Sequence, residues 1–484
     1  MQEQETTKAT GPHAPKDFLS NIMRGDAWIW TIYIFLFCLS AVEIFSATSQ
    51  LTYKSAYVSD PAFSHIRHLF FGLVAVLVTQ SMSVRSMQAW GKILWFGGVC
   101  LAFATIFFGV VQKGAARSIG GLQPVEFCKL GIVMVLCSAI TARDASYHVY
   151  SFFRTHTSGR RFWFYLFLIF LVAFPIATQN LSSALIMGMA SLGIMFLGRV
   201  NGKYLWQMIG VGVVAGLLFL GGLKAVYESN KGVGDLENIE TVENATTADS
   251  GSKLFGRVVT WSRRIFSESS KPLYEEDIHG KKSQEIYSRM ALVNGYPFGK
   301  FIGNSKMRDF LPEAFSDYIF AIIFEEWGPF GALLVILLYL ALFYRCYMLS
   351  RQTQNIYVRL MMIGIPLIIV IQALMHIGVC TGAMFVTGQP LPLISRGGTS
   401  IMGTSISFGI ILALSRIIKQ EQDERQQQEL EAAKELAEAE TADVAVPDTD
   451  EENTDNEYEP AEVPVETFVA QETDNNQNPE SYPI

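Results

Sequence analysis

Long uninterrupted runs of apolar residues are the strongest constraint on how this chain folds. Each run has roughly 18–25 residues with few or no charges, enough to cross a hydrocarbon core of about 30 Å at about 1.5 Å per helical residue. Helices of a water-soluble domain carry a polar face at helical period instead. The sequence therefore predicts an all-α polytopic membrane protein with ten transmembrane helices, at roughly 27–47, 66–84, 90–111, 124–142, 162–178, 181–198, 204–226, 317–344, 357–384 and 398–418.

Charge separates the chain into a membrane body and a tail. Residues 420–484 hold 21 Asp and Glu against two basic residues, a net charge of −19, whereas the whole chain carries −8. A segment so acidic and so poor in large apolar residues does not bury enough surface to offset its ordering entropy. We expect a cytoplasmic N-terminal segment at 1–26, a membrane domain at 27–419, and a disordered cytoplasmic tail at 420–484 with a short helical start.

The basic residues of the short loops predict the orientation. If the N-terminus is inside, the inside loops hold twelve Lys and Arg and the outside loops hold five. The rule that positive loops stay inside then places both termini in the cytoplasm. This loop-bound basic excess fits membrane topology, and we expect no nucleic-acid partner.

One connection is far longer than the others. Residues 227–316 separate the seventh and eighth predicted spans and lie outside in this orientation. A loop of this length is functional or disordered. Its first part is typical of a mobile segment, and from Phe255 onward its aromatic and basic residues predict a part that lies along the membrane surface.

Four carboxylates mark the end of this loop and the start of the eighth span. Glu313 and Asp317 are four residues apart and would share one face if the helix has already begun. Acidic side chains also suit a first helical turn electrostatically, which leaves a purely structural role open. Glu325 and Glu326 lie two turns further on, where an ionisable group marks function or pairs with another helix.

Other polar groups are predicted at the same outer face. Glu126 and Lys129 are spaced i, i+3 behind Pro124, a plausible first helical residue, and a simple ion pair is the competing interpretation. Pro- and Gly-containing residues 386–395 precede Arg396 and a predicted helix start. Free N–H groups at a helix start beside an arginine form an anion site. We expect a cavity open to the outside, with the anion-binding groups Arg396, Gly397, Gly398, Thr399 and Ser400 on one wall.

Four segments, in this order, resemble the SEDS family of shape, elongation, division and sporulation proteins. They are GGLQPVEFCKL, GNSKMRDFLPEA, LPEAFSDYIFAIIFEEWGPFGALLVILLYL and VTGQPLPLISRGGTSIMGTSISFGIILALSR. The resemblance covers roughly residues 25–418. The phrase QPLPLISRGGTS and the charged tail are closer to the division branch, especially its Bacteroidetes members, than to the elongation branch.

The resemblance implies a peptidoglycan glycosyltransferase of the inner membrane that polymerises lipid II, at the septum if it belongs to the division branch. It places the family's essential aspartate at Asp317, as general base for the acceptor hydroxyl. A divalent cation, Mg²⁺ or Mn²⁺, is compatible with this chemistry. The implied partners are a class B penicillin-binding protein, other division proteins and membrane lipid. The substrate-binding candidates are Arg117, Glu126, Lys129, Gln284, Lys306, Glu313, Arg396, Gly397, Gly398 and Ser400.

The sequence departs from the family pattern at several positions. Val125 replaces a serine, Arg396 replaces a tyrosine, and TQNLSSAL at 178–185 lacks a carboxylate that relatives carry near Gln179 and Asn180. A lipid II transporter and a scaffold without catalysis are the alternative functions. Polar groups at one end of the spans favour chemistry over transport, because transporters place ionisable groups near the midplane. We expect His376 to hydrogen bond to a neighbouring helix rather than to act in catalysis.

Overall fold

The computed structural model describes residues 23–48, 60–108, 110–112, 115–118, 123–142, 159–200, 202–231, 283–311 and 314–443. These residues form eleven α-helices, a short 3₁₀-helix at Met307–Asp309 and a two-stranded sheet. The α-helices are α1 Ala27–Ala47, α2 Asp60–Thr79, α3 Val84–Phe108, α4 Pro124–Thr141, α5 Gly159–Gln179, α6 Leu181–Leu197, α7 Gly202–Lys231, α8 Ser283–Asn294, α9 Ile319–Ser350, α10 Ile356–Cys380 and α11 Gly398–Asp443.

The predicted spans match the apolar helices of the described chain. Nine of these helices are long and apolar enough to cross a membrane, and the apolar helix α6, with 17 residues, is slightly shorter. The second helix begins at Asp60 rather than near residue 66, because polar residues in its first turns interrupt the apolar pattern. One of them, His65, is buried and within 2.8 Å of Ser40 Oγ on α1.

Side-chain caps fix several helix starts. Asp26, Asn180 and Asn355 each accept hydrogen bonds from backbone N–H groups in the first turn of α1, α6 and α10 respectively. These bonds satisfy donors that a helix start leaves without an intrahelical partner. Pro124 is at the first position of α4, as predicted, where its missing N–H costs nothing.

A short hairpin follows α3 and was not predicted. Strands β1 Val110–Gln112 and β2 Ala115–Ser118 pair antiparallel. The third span therefore ends at Phe108, before the predicted residue 111, because Val110 and Val111 enter the hairpin. Valine is apolar and β-branched, so the same residues suit the end of a span and a strand.

Helix α9 is two helical segments joined at a kink. Gly328 has φ +68°, and Pro329 follows it. A side chain at Gly328 would approach the backbone nitrogen of Gly299 to 2.7 Å, so glycine is required for both conformation and space. Residues 330–350 are long enough, at ~1.5 Å per residue, to cross the hydrocarbon core alone. The first segment, with Glu325 and Glu326, precedes that stretch.

Helix α10 is the central element of the core. Most of its residues are buried, and it packs against α4, α6, α8 and α9. Helix α4 in turn packs closely on α3 through small residues, since a side chain at Gly131 would lie 2.7 Å from the backbone nitrogen of Trp95. Close contact through glycine is typical of membrane helix pairs. This packing fixes the position of α4, which carries Glu126 and Lys129.

The chain divides into two compact units, Met1–Gln426 and Gln427–Ile484. The described part of the second unit, residues 427–443, is helical, which confirms the short helical start predicted for the tail. Its residues 427–436 are exposed. The rest of the predicted tail, residues 444–484, lies outside the described residues.

Candidate functional site

Asp317 lies in a turn rather than in a helix. Helix α9 begins at Ile319 after the N-cap residue Tyr318, and no acidic residue occupies its first turn. The condition for a helical face shared by Glu313 and Asp317 is therefore not met, and Asp317 precedes the first helical turn instead of occupying it. Asp317 is half-buried, and Ser316 Oγ donates to its Oδ1 at 3.2 Å. Glu313 itself lies outside the described residues.

The Asp317 turn is bound to the segment that precedes α11. Ser395 Oγ donates to the carbonyl of Ser316 at 2.7 Å, and the backbone N–H of Arg396 donates to the carbonyl of Phe315 at 2.9 Å. The Arg396 guanidinium lies over the Phe315 ring, 5.4 Å from its centroid. Two backbone carbonyls next to Asp317 are thus held by residues next to the start of α11.

Helix α11 begins where the sequence predicted. Its first residue is Gly398, which follows Arg396 and Gly397, and Ser400 is buried in its first turn. A side chain at Gly398 would lie 2.7 Å from His68 Nε2 on α2. Glycine at this position lets the His68 imidazole lie against the helix start. The positive end of a helix dipole, Arg396 and an imidazole therefore share one location.

Glu126 and Lys129 form the predicted ion pair. Lys129 Nζ lies 2.9 Å from Glu126 Oε1, and both side chains are buried. Lys129 also donates to Gln372 Oε1 on α10 at 2.6 Å. Helix α11 passes beside the pair, since a side chain at Gly403 would lie 3.2 Å from Glu126 Oε2. The pair faces the interior of the helix bundle.

Gln372 connects this ion pair to the loop between α10 and α11. Its Nε2 donates to the carbonyl of Pro390 at 2.8 Å, and the same loop continues to Ser395 and Arg396. Gln389 in this loop donates to Ser183 Oγ on α6 at 2.7 Å. Hydrogen bonds therefore run from Lys129 through Gln372 to the loop whose other end holds the Asp317 turn.

His376 is a buried hydrogen-bonded residue, as expected, but its partner is a loop. Its Nδ1 lies 2.7 Å from the carbonyl of Gln389, not from a group on a neighbouring helix. Its Nε2 lies 3.5 Å from Cys380 Sγ, which is 3.9 Å from the Asp317 carbonyl. His376 thus supports the loop and lies beneath the Asp317 turn.

Glu325 and Glu326 hold the end of the long loop. Glu325 accepts from Ser305 Oγ, from the backbone N–H groups of Lys306 and Met307 at 3.2 Å each, and from Asn294 Nδ2 at 3.3 Å. Glu326 accepts from Ser46 Oγ on α1. Each glutamate therefore pairs with another helix, Glu325 with Asn294 at the end of α8 and Glu326 with α1, and Glu325 also binds donors of the loop.

The remaining predicted binding residues have no described side-chain contact with the Asp317 turn. Lys306 has an exposed side chain, and its backbone N–H is the group that contacts Glu325. Gln284 is half-buried on α8, a helix fixed to the end of α10 by the bond from Ser288 Oγ to the Cys380 carbonyl at 2.8 Å. Arg117 is on strand β2, and its side chain lies outside the described residues.

The missing carboxylate near α6 has a structural replacement. Gln179 Nε2 donates to the carbonyl of Ala102 at 2.9 Å and to Thr105 Oγ1, which joins α5 to α3. Asn180 caps α6. Both side chains stabilise helix ends in this protein.

The described residues contain no group of three or more His, Cys, Asp or Glu side chains that could hold a metal ion. This arrangement does not fit a resident Mg²⁺ or Mn²⁺ held by described side chains alone.

Sequence reasoning missed the residues that join the parts of the site. Gln372, Gln389, Ser395 and His68 are each buried or half-buried polar residues in otherwise apolar or irregular surroundings. Polar residues inside membrane helices usually bond across helices, and Gln372 on α10 was detectable on that ground. No sequence pattern indicated the partners of the other three.

Residues 26–251 and 256–420 match the family of FtsW, RodA and SpoVE, described as Cell cycle protein. The chain belongs to this family. It is 26% identical to the peptidoglycan glycosyltransferase MrdB of Escherichia coli K12, over 72% of this chain and 84% of that protein. It is 27% identical to the probable peptidoglycan glycosyltransferase FtsW of Haemophilus influenzae, over 82% and 95%, and to stage V sporulation protein E of Bacillus subtilis, over 85% and 99%.

Solved structures share the fold. A chain of a peptidoglycan synthase complex that couples polymerization and crosslinking superposes with a TM-score of 0.56 at 19% identity, covering 82% of this chain and 99% of that one. The rod shape determining protein RodA of Thermus thermophilus superposes with a TM-score of 0.53 at 20% identity, covering 82% and 98%. The predicted SEDS membership and the all-α polytopic membrane fold are confirmed.

Proposed function

We propose that this protein is a peptidoglycan glycosyltransferase that polymerises lipid II. The observation that carries the proposal is the position of Asp317, in a turn bound through Phe315 and Ser316 to the Arg396 segment at the start of α11. A carboxylate that accepts a proton and groups that bind an anionic leaving group are thereby adjacent. The names of the relatives, peptidoglycan glycosyltransferases of both branches, support the reaction class.

In this reaction Asp317 acts as general base. It takes the proton from the 4-hydroxyl of the acceptor sugar as that oxygen attacks the anomeric carbon of the donor, and the bond to the lipid diphosphate breaks with its electron pair on the diphosphate. A diphosphate leaves without an acid, so one base and cationic stabilisation suffice. Glycosidases, whose leaving group does need an acid, use a pair of carboxylates instead.

The leaving diphosphate needs positive charge, and the described groups differ in how much they supply. Arg396 and the N–H groups at the start of α11 act together. Lys129 is already paired with Glu126 and Gln372, which leaves it less charge to offer. We assign Arg396 and Gly398 to diphosphate binding. Glu126 and Lys129 shape the wall beside α11.

We place the Asp317 side of the bundle outside the cell, with both termini in the cytoplasm, on the distribution of basic loop residues. A class B penicillin-binding protein is the proposed partner, supported by the fold shared with a peptidoglycan synthase complex. QPLPLISRGGTS and the acidic tail support a division role at the septum. A role in elongation is the alternative, since relatives of both kinds match.

Polymerisation of lipid II by purified protein in proteoliposomes tests the proposal. Asp317→Asn and Asp317→Ala should each reduce glycan product by at least about 100-fold, the usual contribution of a general base. Asp309→Asn, which removes an exposed carboxylate that pairs with Arg308 on the same segment, should retain the wild-type rate.

The possible results distinguish the general-base role from its alternatives. Glycan product at the wild-type rate from both Asp317 variants would end the general-base assignment. If wild-type protein with its transpeptidase partner forms no product but moves lipid II between leaflets, the transporter hypothesis replaces the enzyme.

A further inference from the structure

The loop between α8 and the 3₁₀-helix presents bulky apolar side chains to its surroundings. Tyr296, Phe298 and Phe301 are 73%, 75% and 78% exposed, and Ile302 is also exposed. Single exposed apolar residues are normal, but a contiguous group marks a contact surface. We call residues 296–302 the aromatic loop.

The backbone of the aromatic loop is held firmly on α9. The N–H groups of Lys300 and Phe301 donate to the carbonyls of Glu325 and Glu326 at 2.9 and 2.8 Å. Gly299 lies against Gly328, where a side chain on either residue would come within 2.7 Å of the other's backbone. The exposed side chains therefore extend from a fixed backbone at the α9 kink.

Phe301 shows that the exposure is not incidental. Its φ is +66°, a conformation that glycine adopts readily and that a bulky side chain adopts at a cost in free energy. The side chain recovers little of this cost within the protein because most of its surface is exposed. Such strain is retained where the surrounding structure or a function requires it.

The aromatic loop contacts α9 next to an exposed apolar face of that helix. Beyond the kink, one face of α9 exposes apolar side chains at helical spacing, and this face begins two residues after Gly328, which contacts the loop. Lys300, also exposed, lies among the aromatic residues. Aromatic side chains beside a lysine are typical of segments at the boundary between acyl chains and headgroups. The exposed face of α9 comprises Phe330, Leu333, Leu337, Leu340, Tyr344 and Tyr347.

We propose that the aromatic loop inserts into the lipid leaflet on the Asp317 side of the membrane, with Phe298 and Phe301 among the acyl chains near the headgroups. The loop leads through Lys306 and the 3₁₀-helix to the Asp317 turn, so this insertion sets the height of the candidate site relative to the membrane surface. Insertion of the loop into lipid and glycosyl transfer are independent properties of the protein.

The test measures the environment of single positions in lipid nanodiscs. A nitrobenzoxadiazole label is attached to Phe298→Cys in full-length protein in which exposed Cys38 and Cys100 are replaced by Ala, since the other four cysteines are buried. Quenching is measured with lipids that carry a nitroxide at a shallow acyl position, and separately with aqueous iodide. Phe330→Cys on α9 is the lipid-exposed control, and Glu431→Cys is the water-exposed control.

Lipid quenching at position 298 should be within about twofold of that at 330, with little iodide quenching. Quenching by iodide as strong as at position 431 would overturn the proposal. Protection from both quenchers would also overturn it, because the loop would then be covered by protein. Ile302→Cys repeats the measurement if Phe298→Cys does not fold.

A second variant separates membrane contact from folding. Phe301→Gly removes the side chain at a backbone conformation that favours glycine, so thermal stability in detergent should be retained. Lipid quenching of the label at 298 should fall in this background. Unchanged quenching would contradict a role for Phe301 in insertion.

Discussion

Glu325→Gln tests whether a buried carboxylate orders the segment that leads to Asp317. In the wild-type protein, Oε1 of Glu325 accepts from the Lys306 N–H and Oε2 accepts from the Met307 N–H, each at 3.2 Å. A glutamine has the same shape but only one oxygen, and its amide nitrogen is a donor. One of the two backbone N–H groups therefore faces the amide donor of the glutamine. The other still meets an oxygen, but this acceptor no longer carries a charge.

The expected loss of local stability follows from these hydrogen bonds. A hydrogen bond to a charged group contributes about 1.5–3 kcal/mol, and 1.4 kcal/mol corresponds to a factor of ten. Local opening of residues 305–308 should therefore become about 10- to 150-fold more frequent. The N–H groups of Lys300 and Phe301 bond to backbone carbonyls of α9 and should keep their protection.

Hydrogen–deuterium exchange followed by mass spectrometry measures both segments in one sample. Exchange should accelerate in peptides covering residues 305–308 and stay unchanged in those covering 299–302, while Glu431→Gln, at an exposed position of α11, should change neither. The polymerisation rate should fall with the loss of order, since the same segment continues to Asp317. Equal protection of residues 305–308 in variant and wild type would refute the ordering role. Loss of protection in both segments would show that the whole loop detaches.

Substitutions at Lys129 and Gln372 probe the groups behind the site. Lys129→Met leaves the Glu126 carboxylate buried without its cation and should destabilise the protein by about 3–5 kcal/mol; thermal unfolding in detergent should show part of this restored when Glu126→Gln is added. Gln372→Leu removes the bonds to Lys129 and to the Pro390 carbonyl, a loss of about 2–4 kcal/mol. Gln372→Glu keeps an acceptor for Lys129 but loses the donor to the Pro390 carbonyl. If that bond to the loop positions the site, Gln372→Leu and Gln372→Glu should both polymerise lipid II more slowly than the wild-type protein.

The helices and the ion pair could be predicted because their determinants are local in sequence. Apolar runs define the spans, Pro124 fixes the start of α4, and the i, i+3 spacing brings Glu126 to Lys129. The start of α11 at Gly398 followed from glycines and an arginine after a broken segment. Each prediction needed only neighbours within one or two helical turns.

The errors at Asp317 and Glu325 have a common physical origin in long-range contacts. The α9 kink depends on Gly299, which packs against Gly328. That contact places Glu325 beside hydrogen-bond donors of the loop. The position of Glu325 along the helix does not by itself predict these neighbours. Likewise, the turn at Asp317 is fixed by Ser395 and Arg396, almost eighty residues away in sequence. Hydropathy and helical spacing contain no information on such pairs.

Arg396 illustrates how one residue serves geometry and charge through different atoms. Its backbone N–H holds the Phe315 carbonyl, a bond that any residue other than proline can make. The departure from the family's tyrosine therefore alters charge and leaves the turn in place. Arg396→Tyr should raise KM for lipid II and also lower the catalytic constant, with kcat/KM falling at least about tenfold, because the guanidinium binds the diphosphate of the substrate and stabilises the charge that grows on it as it leaves. Steady-state kinetics separates the two constants. A large fall in the catalytic constant with unchanged KM would instead show that the guanidinium acts only in the transition state.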